Sequence, residues 1–339
     1  MSTTSTNDLA RGLDPERTDD TAEAATQTKQ RTPDPKDPPR PAPAAAAEAG
    51  PGYYDLPVIK AAPWKGYIAA YFYAGGVAGA AAALHGALLL RAPDRRLAPL
   101  ATKLRWIAIA GEVIGSGLLI ADLGRPARFH HMMRVVRPTS PMNVGTWILS
   151  AAGATSALAL VKHELLGQPD RTSVTSAINM LAGAALTTYT GVLVGNTAVP
   201  VWKATRVVLP VLFAASAGAS AASLLELAGA STRRERGVVR RFALATKVTA
   251  LAASFVVDRA AGSGNVGAAL REGRAGQLWR GARLLKAASL VASAIPSRGK
   301  LLPQLAGALG TAAGLAMRFA ILAAGRASAA EPRATLEPT

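Results

Sequence analysis

Residues 66–90 read GYIAAYFYAGGVAGAAAALHGALLL. This run of 25 residues holds no full charge, and His85 is its only imidazole. A helix needs about 20 apolar residues to cross the hydrocarbon core of a bilayer, so the stretch predicts a spanning helix. Downstream the pattern repeats. Residues 104–123 form a second run, crossed by Glu112 and closed by Asp122, and residues 144–161 and 174–199 carry no charge. Residues 207–230 form a fifth, with Glu226 near its end. Three weaker runs follow: 242–257 with Lys247, 284–295 with Lys286, and 301–325 with Arg318. Gly, Ala, Ser and Thr crowd all of them, which suits close helix contact in lipid. The expected fold is all-α, a polytopic transmembrane helix bundle of about eight spans.

Composition agrees. Charged residues make up 17 % of the 339, and the mean hydropathy is +0.21. Soluble domains carry roughly 25 % charge. There is no cysteine. That excludes disulfides, thiolate-bound iron–sulfur clusters, Cys-ligated zinc and thiol catalysis within the chain. The net charge of +17 does not point to nucleic acid. Residues 1–60 hold ten acidic and seven basic side chains, so the cationic surplus lies beyond them, between the apolar runs. Cations there suit lipid headgroups.

Residues 1–60 contain nine prolines and few large apolar side chains. Such a segment buries too little to offset its ordering entropy. It is expected to be a disordered Pro/Ala-rich tail, or an arm that docks a partner, and it lacks the pattern of a secretory signal. Residues 61–330 form the expected transmembrane domain, and 331–339 a short flexible C-terminal tail. The loops on the two faces carry similar numbers of Lys and Arg, so the positive-inside rule does not orient the chain.

With the N-terminal face called side A, alternation of the spans brings several motifs to that face. Trp64-Lys65-Gly66-Tyr67 opens the first span, and Asp122-Leu123-Gly124-Arg125-Pro126-Ala127-Arg128-Phe129 closes the second. Ser140-Pro141-Met142-Asn143-Val144-Gly145-Thr146-Trp147 opens the third. Tyr189-Thr190-Gly191, Asn196, Pro200 and Trp202 lie at the far end of the fourth. Intramembrane acids are functional candidates by default. Asp122 reads either as a proton or quinone group or as a solvated helix end paired with Arg125 or Arg128. Glu112, near mid-bilayer, reads either as a proton-path residue or as a structural hydrogen-bonding group.

Over residues 64–202 these motifs resemble the NrfD/polysulfide reductase membrane-subunit (PsrC-like) family. D-L-G-R-P-x-R-F with S-P-M-x-x-G-T-W carries the likeness, and Y-T-G-x-L with P-x-W supports it. The resemblance implies a membrane anchor subunit of a respiratory oxidoreductase of the molybdopterin/iron–sulfur type. Such a subunit binds quinone or quinol (menaquinone or ubiquinone) as an exchangeable substrate. It passes electrons to or from an iron–sulfur subunit, itself joined to a catalytic subunit. It also implies no haem or iron–sulfur cluster in this chain, no catalysis by the chain alone, and a place in the cytoplasmic membrane. Tyr189 matches the family's quinone-contacting tyrosine. Tyr67 and Tyr71 stand where some relatives carry other hydrogen-bonding residues. With Asp122 and Glu112 they complete the expected quinone and proton-relay set. Arg125, Arg128, His130 and His131 are the expected partner-docking residues. Two other readings stay open: a haem b anchor using His85 and His163, and a non-redox transporter using Glu112 and Glu226.

Overall fold

The computed structural model describes residues 58–336, apart from 61, 63, 65, 92–94, 124, 126–128, 130, 132, 170–172 and 298. The expected tail thus lies outside the described residues except at 58–60, as do Arg128 and His130.

Among the described residues, eight long helices run in chain order: α1 Gly66–Leu90, α2 Ala98–Asp122, α3 Pro141–Leu160, α4 Val174–Gly195, and then, after the short α5 Pro200–Ala204, α6 Leu209–Ala228 and α7 Arg233–Ala261. After the short α8 Asn265–Arg271 come α9 Gly273–Ala294 and α10 Leu301–Ala330, and α11 Pro332–Leu336 ends the described chain. Six of the long helices are apolar enough to cross a membrane: α1, α2, α3 with the π-helical turn Val161–Leu165 that continues it, α4, α6 and α10. The other two, α7 and α9, are 29 and 22 residues long. They outrun the apolar windows 242–257 and 284–295, which were cut short by Arg241 and Arg283. The chain is an all-α, multi-pass membrane bundle.

Local chemistry explains the helix starts. Ser140 caps α3 by accepting the Asn143 amide at 3.4 Å, with Pro141 inside the first turn. Ser173 caps α4 in the same way. At α7, Thr232 accepts the Glu235 amide at 3.0 Å, while the Glu235 carboxylate turns back to the Ser231 amide at 2.6 Å. Glycine residues φ 72° at Gly229 and 75° at Gly262 end α6 and α7.

The helices approach to backbone contact where side chains vanish. A β-carbon added at Gly79 of α1 would lie 2.6 Å from the Gly183 carbonyl oxygen of α4. No larger residue fits at that crossing. Toward side A, aromatic rings join α1, α5 and α6. Trp64 stacks on Trp202 at 5.4 Å between centroids and meets Phe72 edge-on at 6.1 Å. Phe72 in turn meets Phe213 at 5.9 Å. The fully buried Trp202 donates its indole N–H to the Ile321 carbonyl of α10 at 2.9 Å. The P-x-W motif therefore locks α5 into the bundle.

Candidate functional site

The first four helices bring the side A motifs together around two phenols. Tyr71 of α1 and Tyr189 of α4 are both buried, with their phenols beside each other. Glycines line both rings, and at one of them glycine is required. A β-carbon at Gly115 of α2 would sit 3.5 Å from the Tyr71 ring, and one at Gly75 the same distance. At Gly145 of α3 a β-carbon would overlap the Tyr189 ring outright. The S-P-M-x-x-G-T-W motif thus has three separable jobs. Ser140 and Pro141 start the helix. Asn143 holds the preceding loop, accepting the Arg137 amide at 2.6 Å and donating to the Val135 carbonyl at 2.8 Å. Gly145 makes space for Tyr189. In the Y-T-G motif, Gly191 packs α4 against α6: a β-carbon there would meet the Pro210 Cα at 2.7 Å.

The other expected site residues distribute around this pair. Asp122 ends α2, partly exposed, seven residues beyond Gly115. Seven residues make two turns, so Asp122 lies on the Gly115 face of α2, about 10 Å nearer side A. Tyr67, one turn before Tyr71, is half exposed at the start of α1. Arg125 and His131 are exposed in the segment between α2 and α3.

Below the phenols, toward side B, a polar column runs down the centre of the four helices. Glu112 is 5 % exposed. Its Oε1 receives the Ser156 hydroxyl of α3 at 3.3 Å, and its Oε2 has no hydrogen-bond partner. Ser156 also lies 3.0 Å from Asn179 Oδ1 of α4, which Thr155 reaches at the same distance. Asn179 Nδ2 donates to the Ala82 carbonyl at 3.3 Å and lies 3.4 Å from His85 Nδ1 of α1. His85 Nε2 lies 3.4 Å from Arg105 Nη1 of α2, and Arg105 reaches Glu164 of the π-turn at 3.0 Å. Sequence reading singled out Glu112 and His85 but missed Ser156, Asn179, Arg105 and Glu164. One signal was available: Arg105 and Glu112 are seven apart, on one face of α2.

His85 is engaged by protein groups at both ring nitrogens, and His163 Nδ1 meets the Gln168 carbonyl at 2.8 Å. That arrangement does not fit a pair of haem ligands. No group of three or more His, Asp or Glu side chains suited to a metal occurs among the described residues.

A second charged cluster lies among α6, α7 and α9. Lys247 donates to Glu226 Oε2 at 2.6 Å and to Ser293 Oγ at 2.8 Å, and Ser293 donates to Glu226 Oε1 at 2.6 Å. Charges that weakened the hydropathy signal thus neutralise each other inside the bundle. Arg318 of α10 lies 3.9 Å over the Phe213 ring and donates to the Phe213 carbonyl at 3.1 Å.

These features define a multi-pass membrane subunit with a polar site enclosed by its first four helices. A family model described as polysulfide reductase, of the NrfD type, matches residues 51–331. The chain belongs to that family, whose members are membrane subunits of polysulfide reductase-type respiratory complexes. No curated protein matches the sequence.

Proposed function

We propose that this chain is the quinone-exchanging anchor of a respiratory oxidoreductase in the cytoplasmic membrane, and that a quinone head group binds beside Tyr71 and Tyr189. The observation that carries the reading is the buried phenol pair where four helices converge, with the Tyr189 ring seated in space that Gly145 leaves. A quinone offers two carbonyl acceptors, and its reduction takes up two electrons and two protons. A phenol donates a hydrogen bond to such a carbonyl while its ring packs against the head. Neither tyrosine needs to ionise for this role. Electrons come from or go to the clusters of an iron–sulfur subunit docked on side A, where Arg125 and His131 are exposed. A catalytic subunit completes the complex. The chain itself binds, orients and controls proton access.

Two acids flank the pair along α2. Glu112 has a free carboxylate oxygen on the side B flank, and Asp122 lies toward side A. The column below Glu112 conducts poorly. A side-chain amide and a guanidinium do not relay protons as carboxyl, hydroxyl or imidazole groups do. A fixed arginine cation also repels a proton entering from side B. Protons therefore exchange between the pair and side A past Asp122, with Glu112 holding one beside the site.

The test is purification of the intact complex from its own host, followed by subunit identification and extraction of bound quinone. The expected result is an iron–sulfur partner, a catalytic subunit and stoichiometric quinone. A complex with an iron–sulfur partner but no quinone, unresponsive to added quinol, would reduce this chain to a passive anchor.

A further inference from the structure

A cavity of about 740 Å³ opens on side B, remote from the phenol pair and formed by different helices. The C-terminal ends of α6 and α9 and the N-terminal ends of α7 and α10 surround it. Arg233, Arg236, Arg240 and Lys300 line it, all of them exposed. Its floor includes Glu226 and Ser293, each 7 % exposed. Glu226 is the only carboxylate in the lining, and Lys247 already neutralises it at 2.6 Å. The cavity therefore presents an uncompensated excess of positive charge. Arg240 is held in place by the last carbonyls of α9, Ala294 at 2.6 Å and Ser293 at 3.4 Å. Arg233, Arg236 and Lys300 form no ion pair among the described residues. The N-terminus of α10 has no side-chain cap, and its first turn borders the cavity at Lys300, Pro303 and Gln304.

The flank of this basic mouth is apolar. Ile295 on the rim is 51 % exposed, Leu301 84 % and Leu305 53 %. A soluble anion has no use for such a surface, whereas acyl chains do. Cations that meet a membrane headgroup layer beside exposed aliphatic side chains are the recognition pattern for an acidic lipid. The volume also falls in the range of small-molecule sites, roughly 300–1,000 Å³. We propose that this cavity binds the phosphate of an anionic phospholipid, with the lipid's chains against Ile295, Leu301 and Leu305. The bound lipid would close the side B end of the α6–α7–α9–α10 half over the Glu226–Lys247 pair. This inference does not depend on quinone binding.

The test uses the full chain, purified in detergent and stripped of lipid. Native mass spectrometry compares retention of dioleoylphosphatidylglycerol and dioleoylphosphatidylcholine, with inorganic phosphate as a third probe. One phosphatidylglycerol should remain bound under conditions that release phosphatidylcholine. The triple variant Arg233→Gln, Arg236→Gln, Lys300→Gln should weaken retention by roughly tenfold or more. A photoactivatable phosphatidylglycerol on the wild-type chain should label peptides within 233–240 and 295–304, which decides the matter even if the triple variant misfolds. Equal retention of both lipids, or labelling confined to other segments, overturns the proposal. Inorganic phosphate binding at millimolar concentration without retention of phosphatidylglycerol would assign the cavity to a soluble anion instead.

Discussion

Gly145 leaves the space that the Tyr189 ring fills. The two residues lie on neighbouring helices, and no β-carbon is compatible with the ring where it stands. Gly145→Ala should push Tyr189 away from Tyr71 and overpack the α3–α4 contact. The expected cost is about 1–3 kcal/mol in thermal unfolding of the detergent-solubilised protein. Quinol-dependent turnover of the complex should fall further than this loss of stability explains. Normal turnover in a stable Gly145→Ala complex would show that the ring position is immaterial.

Tyr189→Phe keeps the ring and removes the hydrogen-bond donor. Asp122→Asn keeps the shape and removes the titratable proton. Both variants should assemble with their partners. Both should lose most quinone-coupled electron transfer, while activity of the catalytic partner toward an artificial dye persists. Tyr189→Phe should act at the bound head and so raise the quinol KM as well as lower kcat. Asp122→Asn, about two turns from the ring contact at Gly115, should lower kcat with little change in KM. Wild-type quinone turnover in correctly assembled variants would remove both assignments.

The Glu226–Lys247 pair gives a stability prediction. Its side chains are 6 % and 1 % exposed, so removing one partner leaves the other charge buried. Glu226→Ala should cost about 3–5 kcal/mol. Pairing Glu226→Leu with Lys247→Met should recover most of that loss, because the penalty comes from the orphaned charge. Unfolding in detergent followed by circular dichroism compares the three proteins. A double variant no better than the single one would mean the pair is needed for geometry, not neutralisation.

How much of this was legible in the sequence depends on what each residue does. Uncharged runs such as 66–90 announce themselves, because their chemistry is readable without a partner. Tyr189 was legible through its motif. Gly145 stood inside a quoted motif too, yet among 32 glycines nothing marks one as the seat of a ring on another helix. Ser156 and Asn179 look like ordinary small polar residues until four helices bring them into line with Glu112 and His85. The apolar windows for α7 and α9 stop at Arg241 and Arg283, and only in the fold does Arg283 pair with Asp258. Lys247 reads as a cost in a hydropathy window, and only the fold reveals that Glu226 meets it.

Arg105 gives the last prediction. It is 1 % exposed, lies between His85 and Glu164, and stands at the side B end of the column under Glu112. If its fixed charge bars protons from side B, neutralising it should open a leak toward the phenol pair. Arg105→Gln retains hydrogen-bond donors and loses the charge. Glu164 would then lose its partner, but its side chain is 30 % exposed, so water can solvate it. In proteoliposomes loaded with a pH-sensitive dye, Arg105→Gln should pass protons several-fold faster than wild type under an imposed gradient. Arg105→Lys, which keeps a cation in place, should remain nearly tight. The comparison separates charge from packing, since both substitutions shorten the side chain. Equal leak rates in all three proteins would mean that the column is sealed by packing alone and that Arg105 has no part in directing protons to side A.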